Sequence, residues 1–261
     1  MLRIGWFSTG NGKGSLGFIK FFLDYVKENS LDISLEYVFC NRDYNESEGS
    51  NEFLDFLKSN NIKTITFSSK KFLENSTNKT FSECRAEYDI KVQELISNYD
   101  TDIIIMAGYM LILSPSLCNN FNFINLHPAL PNGPKGTWTD VIKQLICNNA
   151  SESGLNVHIV NEKLDDGASL GYCRFSIKHN MKNEWNEYNK LVNSISSIDF
   201  ENLTLFNSIR NKILDREKIL LLLVINDFVN NKEKLLHLYK DKQKSSYKTI
   251  DFSKEVEGSL S

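Results

Sequence analysis

The sequence lacks several features that mark common protein classes. Its five cysteines (Cys40, Cys84, Cys118, Cys147 and Cys173) are odd in number and widely spaced, with no C-x-x-C pair. That pattern argues against a disulfide framework or a zinc knuckle and leaves free thiols suited to a reducing compartment. No apolar run approaches the roughly 20 residues of a membrane-spanning helix; "ILLLLVI", from Ile219 to Ile225, is too short. No basic segment followed by an apolar stretch precedes the first strand pattern, so no secretory leader is expected. Charge of one sign is also scarce. Thirty Lys and Arg stand against 33 Asp and Glu, a net charge of −3, which lacks the basic surplus of a nucleic-acid or membrane-surface protein. There is no G-K-[ST] phosphate loop, no metal-ligand spacing and no internal repeat. The expectation is a cytoplasmic globular protein, monomer or homodimer, with no bound metal and with a small-molecule partner.

What is present is alternation. Apolar runs at Arg3–Ser8, Ser34–Cys40, Thr64–Phe67, Asp102–Met106 and Phe123–Leu126 read as strands. Helix-period segments lie at Leu16–Lys27, Asn51–Ser59, Ser82–Ser97, Ser114–Asn119 and Trp138–Cys147. Uninterrupted apolar strands such as "DIIIMAG" predict a parallel sheet covered on both faces. Thr137, with Asp140 three residues on, is a start signal for the last of these helices. Leu155–Val160 and Ser169–Phe175 read as a hairpin or an antiparallel addition to the sheet. The expected fold is therefore α/β: a Rossmann-like, mostly parallel sheet flanked by helices, with a helical C-terminal extension. Residues 1–178 form the expected catalytic domain. Residues 179–261 form the extension, with an exposed tail after about residue 240, where Lys and Ser accumulate.

Near the start, "GNGKGSLG" spells G-x-G-x-x-G through Gly12, Gly14 and Gly17, between the first strand and the first helix. Free N–H groups and the helix dipole make such a turn an anion site. A dinucleotide site needs an acidic residue at the end of the second strand. That strand ends in Cys40 and Asn41, and Asp43 lies beyond it, although Arg42 suits a 2′-phosphate. From the loop itself a single phosphate, a dinucleotide and a bare turn all stay open.

A second constellation lies in "AGYMLILSPSLCNNFNFINLHPALPNGPKGTW", from Ala107 to Trp138. Asn125 and His127 stand two apart at a strand end, so strand alternation places both on one face. Pro128 holds His127 extended. The carboxyl end of a parallel strand is where open α/β sheets bind ligands. An amide donor beside an imidazole can hold a developing oxyanion while the imidazole moves a proton. An Asn-x-His-Pro loop with only structural hydrogen bonds is the alternative at this point.

Four segments, in order and spacing, resemble the folate-dependent formyltransferases. "NLHPALP" matches that family's Asn-x-His-Pro signature, "AGYMLILSP" its folate-pocket segment, "NVHIVNEKLDDGASL" the segment bearing its catalytic Asp, and "GNGKGSL" its phosphate loop. The resemblance covers roughly residues 1–178. It implies transfer of a formyl group from 10-formyltetrahydrofolate, as co-substrate, to the primary amine of a phosphorylated substrate such as 5′-phosphoribosylglycinamide. It implies catalytic roles for Asn125, which would polarise the formyl carbonyl, for His127, a cationic proton donor, and for Asp165, which would keep that His charged. It further implies folate contacts from Arg85, Met110, Leu111, Ile112, Leu113, Asn125, Asn161, Glu162, Leu164 and Asp165. Gly12, Lys13, Gly14 and Ser15 would bind the acceptor's phosphate. His158 matches a position that is His in the relatives too, and reads as a supporting residue.

The chain departs from the pattern at several places. Lys13 and Gly14 replace a Ser-Asn pairing in a loop one residue longer, and Leu111 replaces a common Arg. Asp166 stands where Gly is usual, and Asn132–Trp138 is shorter than in the family. These departures keep two alternatives open: N-formylation of an amino sugar nucleotide or another amine, and, more remotely, an NADP-binding oxidoreductase resting on the glycine loop and Arg42.

Overall fold

The computed structural model describes residues 1–76, 79–192, 198–233 and 248–260; at residues 12 and 13 it describes the backbone only. The chain divides into two compact units. The first comprises Met1–Asn125, Ile159–Lys163 and Ile225–Ser246; the second comprises Leu126–His158, Leu164–Val224 and Tyr247–Ser261. This division cuts across the boundary at 178 that the sequence pattern suggested.

The first unit is built on parallel strands in the order β3-β2-β1-β4-β5. They are β1 (Leu2–Ser8), β2 (Ile33–Cys40), β3 (Thr64–Thr66), β4 (Ile103–Met106) and β5 (Phe123–His127), whose last two residues belong to the second unit. The order reverses at β1, from which the chain winds first toward β3 and then toward β5. Helices α1 (Gly12–Glu28), α2 (Glu48–Ser59), α3 (Ser69–Glu74), α4 (Phe81–Ile96) and α5 (Pro115–Asn120) connect the strands. β1 and β4 are buried almost throughout because both sheet faces are covered, the condition that continuous apolar strands require. Phe7 sits at the centre of one face, with Phe39 at 4.6 Å and Tyr109 and Phe123 each at 5.2 Å, centroid to centroid. Such edge and tilted pairs add to area burial by about 0.5–1.5 kcal/mol each.

The second unit holds β6 (Glu152–Ile159, its last residue counted with the first unit), β7 (Ser169–Ser176) and β8 (Ile250–Asp251). β6 and β7 pair antiparallel, and β8 joins β7 in parallel. Its helices are α6 (Trp138–Cys147), α7 (Lys182–Val192), α8 (Thr204–Asn230, whose last residues belong to the first unit) and α9 (Ser253–Gly258). The start signal of α6 is realised: the Thr137 hydroxyl accepts from the Asp140 amide at 3.2 Å, and the Asp140 carboxylate accepts from the Thr137 amide at 3.1 Å. The mostly parallel sheet with flanking helices, and a helical segment near the C-terminus, agree with the expected class.

Four local expectations need correction. The first helix begins at Gly12 rather than Leu16, so the glycines of the motif lie inside it. α3 was not anticipated; it is short and presents no fully buried residue, so its sequence carries no apolar stripe. β5 extends through His127. The exposed tail is the fourth. Residues 240–247 lie outside the described residues, but from 248 the chain returns to the fold. The Phe252 amide donates to the Tyr172 carbonyl at 2.8 Å, and Val256 is buried. Gly171 makes this possible, since a Cβ there would meet the Phe252 ring at 2.7 Å and Val224 at 2.8 Å.

Candidate active site

His127 is the last residue of β5, and Asn125 stands two residues earlier on the same strand, in register with Met106 of β4. His127 is buried, while Asn125 is half-buried. His127 Nε2 lies 2.8 Å from the carbonyl oxygen of Pro134. A carbonyl only accepts, so Nε2 carries the hydrogen and donates. The other ring nitrogen, Nδ1, faces Asp165 Oδ1 at 3.6 Å. The same oxygen lies 3.7 Å from His158 Nε2, and Asp165 Oδ2 accepts from the Gly136 amide at 3.2 Å. The Asp165 side chain is only 7% exposed.

Local sequence explains this convergence. Asp165 sits in "LDDG" with φ of 50°, a left-handed conformation that Asp tolerates better than most residues. The register of β6 against β7 shifts between Val157 and His158, where Val157 pairs with Gly171 and His158 with Ser169, leaving Leu170 of β7 unpaired. "NGPKG" between β5 and α6 bends back, with Asn132 at φ of 63° and Gly136 at φ of 110°, and presents one carbonyl and one amide to the His–Asp pair. Two imidazoles and a carboxylate invite a metal reading. Among the described residues, however, no group of three or more such side chains is placed to hold one.

Electrostatics here act in two directions. Burial is the largest influence on His127 and pushes its pKa below the ordinary 6.5, while the Pro134 carbonyl and the Asp165 charge raise it. The Asp165 carboxylate, 3.6 Å from Nδ1, thus favours the charged ring against burial. For Asp165 burial pushes upward. The His158 ring at 3.7 Å, the His127 ring and the Gly136 amide together prevail and hold its carboxyl below the usual carboxylate range.

The phosphate-loop candidates belong to the first unit. The turn itself is Thr9–Asn11, and Gly10, at φ of 62°, is the glycine the backbone requires. A Cβ on it would meet the Phe53 ring at 2.9 Å. Gly12, Lys13, Gly14 and Ser15 form the first turn of α1, whose leading amides have no partner within the helix. The side chain of Lys13 lies outside the described residues. Gly14 has open space where a Cβ would project, while Ser15 is buried.

A neighbouring loop is tied to this turn. The Thr9 amide donates to the Gly108 carbonyl at 3.0 Å, and the Met110 amide donates to the Thr9 hydroxyl at 3.0 Å. Of the folate-pocket candidates on this loop, Met110 and Ile112 are exposed, Leu111 packs against the aromatic core and Leu113 is buried in it. The loop is fixed at its far end by Asp89 of α4, a buried carboxylate that accepts from the Ser114 amide. Arg85, one turn before Asp89, is half-buried and donates to Ser82 Oγ at 3.1 Å. Asn161 accepts from the Cys118 thiol through its carbonyl, and Glu162 accepts from Asn119 at 2.9 Å. Leu164, in the second unit, is exposed. Arg42 donates to Ser47 Oγ at 3.0 Å.

Sequence reasoning missed Pro134, Gly136, Thr9, Gly10, Gly108 and Asp89. The glycine and proline content of "NGPKG" signalled a special turn, but nothing in it named the groups that face His127.

Fold and site together define a class: an open, mostly parallel α/β protein with a buried His–carboxylate pair at a strand's carboxyl end. The chain belongs to the formyl transferase family, whose sequence profile matches residues 11–194. It is 33% identical over 87 residues to the phosphoribosylglycinamide formyltransferase of Escherichia coli K12, a match covering 33% of this chain and 40% of that protein. With the Haemophilus influenzae protein of the same name the identity is 35% over 92 residues, covering 34% of this chain and 42% of the relative. The matched segments thus span about two fifths of these two relatives. Among solved structures, glycinamide ribonucleotide transformylase 1 from Symbiobacterium toebii aligns with a TM-score of 0.63 at 18% identity, over 88% of this chain and 89% of that one. A formyltetrahydrofolate deformylase from Pseudomonas syringae aligns with a TM-score of 0.60 at 16% identity, over 88% and 62%. At these identities the structural likeness speaks for the fold. Among the described residues no helix is long and apolar enough to cross a membrane.

Proposed function

We propose that this chain transfers the formyl group of 10-formyltetrahydrofolate to the primary amine of a phosphorylated acceptor, with 5′-phosphoribosylglycinamide as the first candidate. The observation that carries the reading is the Asn125–His127 pair at the end of β5, with Asp165 against the imidazole, in a chain of the formyl transferase family. The names of the curated relatives motivate the acceptor. The free first turn of α1 suits a phosphate. Five free cysteines suit a reducing cytoplasm.

In this mechanism the amine attacks the formyl carbon and the carbonyl oxygen becomes an oxyanion, which the Asn125 amide stabilises by donation. His127, uncharged at rest, takes the proton that the attacking nitrogen sheds. The resulting imidazolium is held by Asp165. It then gives the same proton to the folate nitrogen as the carbon–nitrogen bond to folate breaks and its electrons return to that nitrogen. One proton moves from acceptor to folate and none is lost. The loop Met110–Leu113, with Asn161 and Glu162, would receive the pterin, and Arg85 the anionic tail. Gly12–Ser15 would receive the phosphate through backbone amides.

The test is direct. The protein is incubated with 10-formyltetrahydrofolate and a panel of amines that includes 5′-phosphoribosylglycinamide and amino sugar nucleotides, and formylated product is followed by mass. Formylation of a phosphorylated amine, lost in His127→Ala, supports the reading. Formate release without any formylated amine would reassign the site to hydrolysis.

A further inference from the structure

The C-terminal third has no role in the chemistry above, yet within the second unit α8 reaches the turn that faces His127. Trp138, the first residue of α6, is half-buried between two side chains of α8. Its ring lies 5.8 Å from that of Phe206, which is only 1% exposed, and the Arg210 guanidinium stands 4.4 Å from the indole centroid. Arg210 is itself fixed by Glu217, two turns along the same helix, at 3.1 Å. The indole thus meets an apolar ring and a held cation, one turn apart on the same helix, and both contacts favour a fixed ring orientation.

The strap Pro134–Thr137 runs directly into that Trp. Its opposite end is held by an ion pair between Lys135 and Asp166. The Gly136 amide, which donates to Asp165, lies between these anchors, and the Pro134 carbonyl, which accepts from His127, belongs to the peptide unit leading directly into the Lys135 anchor. The strap has no regular structure of its own, and Gly136, at φ of 110°, gives it a flexible joint. Its two functional backbone groups are therefore only as well placed as its ends.

We propose that Phe206 and Arg210 of α8 are positioning residues: by seating Trp138 they hold the strap Pro134–Gly136 against His127 and Asp165. The C-terminal helix thereby orients the imidazole whose catalytic role rests on the formyl-transfer reading above. Asp165, His158 and Lys135 are the charged or titratable groups that bear on that ring. The contact of α8 with Trp138 bears on the ring through the strap that runs into that Trp.

The experiment uses the full chain with ¹⁵N-labelled histidine and follows exchange of the His127 Nε2 proton by NMR, a readout independent of activity. In Trp138→Ala that proton should exchange at least tenfold faster than in the wild type, and Arg210→Met combined with Glu217→Gln should act in the same direction. The double change avoids leaving a buried carboxylate unpaired. Trp138→Phe, which keeps a ring between Phe206 and Arg210, should stay within about twofold of the wild type. In the formyl-transfer assay Trp138→Ala should lower kcat by about tenfold or more with little change in KM for the folate. Unchanged His127 exchange in Trp138→Ala, with only a lowered Tm, would reduce Trp138 to an anchor for α6 and overturn the proposal. If Trp138→Ala does not fold, the Arg210/Glu217 variant decides by the same exchange criterion. Faster exchange in a protein that formylates no amine would uphold the positioning role while the functional reading fails.

Discussion

The turn before α1 and the cluster around His127 are built by opposite means. The turn at Thr9–Asn11 is made of backbone. Its shape is set by Gly10 at φ of 62°, its bonds run from amide to carbonyl or hydroxyl, and the leading amides of the helix that follows have no partner within that helix. The cluster around His127 is made of side chains whose charge states depend on burial, and its backbone contributions come from the strap that follows β5. A backbone site needs permissive residues and little else, so it tolerates sequence change as long as the glycines stay. A buried titratable site is sensitive to anything that alters solvent access. Binding and catalysis in this chain should therefore fail in different ways when perturbed.

The largest expected effect comes from His127→Ala. Loss of the proton carrier should lower kcat by roughly 10²–10⁴, the usual range for a general acid–base group, while equilibrium binding of the folate, followed by fluorescence titration, is retained. Comparable loss of binding would erase the distinction between the two regions.

Asp165→Asn is next, with an expected loss of about 10² in kcat. Because Asp165 raises the His127 pKa against the dominant effect of burial, its removal should move the NMR midpoint of His127 further below the wild-type value. The wild-type midpoint itself should lie below 6.5, and kcat/KM should rise with pH through it, since the uncharged ring is the working form. The same shift enters stability with a definite sign. A group with a folded pKa below its unfolded value contributes stability that is complete above about 6.5 and is lost as pH falls through the folded pKa. Melting temperatures between pH 7 and 5 should therefore fall less steeply in His127→Gln than in the wild type.

Smaller effects belong to the glycines. Gly108→Ala places a Cβ 3.0 Å from Ser15 Oγ at a φ of 70°, and should cost about 1–3 kcal/mol in urea denaturation. It should also raise KM for the acceptor more than for the folate. The least effect is expected from Gly14→Ala. With helical backbone and nothing within 4 Å of the new methyl, it should gain about 0.5–1 kcal/mol in stability. Any rise in KM should fall on the acceptor alone. A rise confined to the folate would show that this turn serves the other substrate.

Much of this was legible in the amino acids. Continuous apolar strands predicted the parallel sheet, the Thr137–Asp140 spacing predicted the start of α6, and the segments around Asn125, His127 and Asp165 carried the family resemblance. The misreadings share a cause. G-x-G-x-x-G placed the turn at Gly12, whereas the left-handed residue is Gly10, because a glycine pattern cannot say which glycine bears positive φ. The return of the chain after 247 was invisible because β8 is only two residues long and is specified by pairing with β7 rather than by a pattern of its own. The register shift opposite His158, where Leu170 of β7 is skipped, leaves no sequence mark either.

The sequence by itself determined the local chemistry: which strand ends in Asn-x-His-Pro, which turn holds Asp beside Gly, and which helix begins with free amides. These depend on residues within a few positions of one another, where propensity, alternation and capping act. Only the tertiary structure decided that His127 is buried beside Asp165, that Pro134 and Gly136 are its and Asp165's backbone partners, and that a helix some seventy residues downstream packs on the Trp bordering them. Burial and long-range packing depend on what lies across space from a residue, and a buried ring pays a desolvation cost that no neighbour in the sequence reveals.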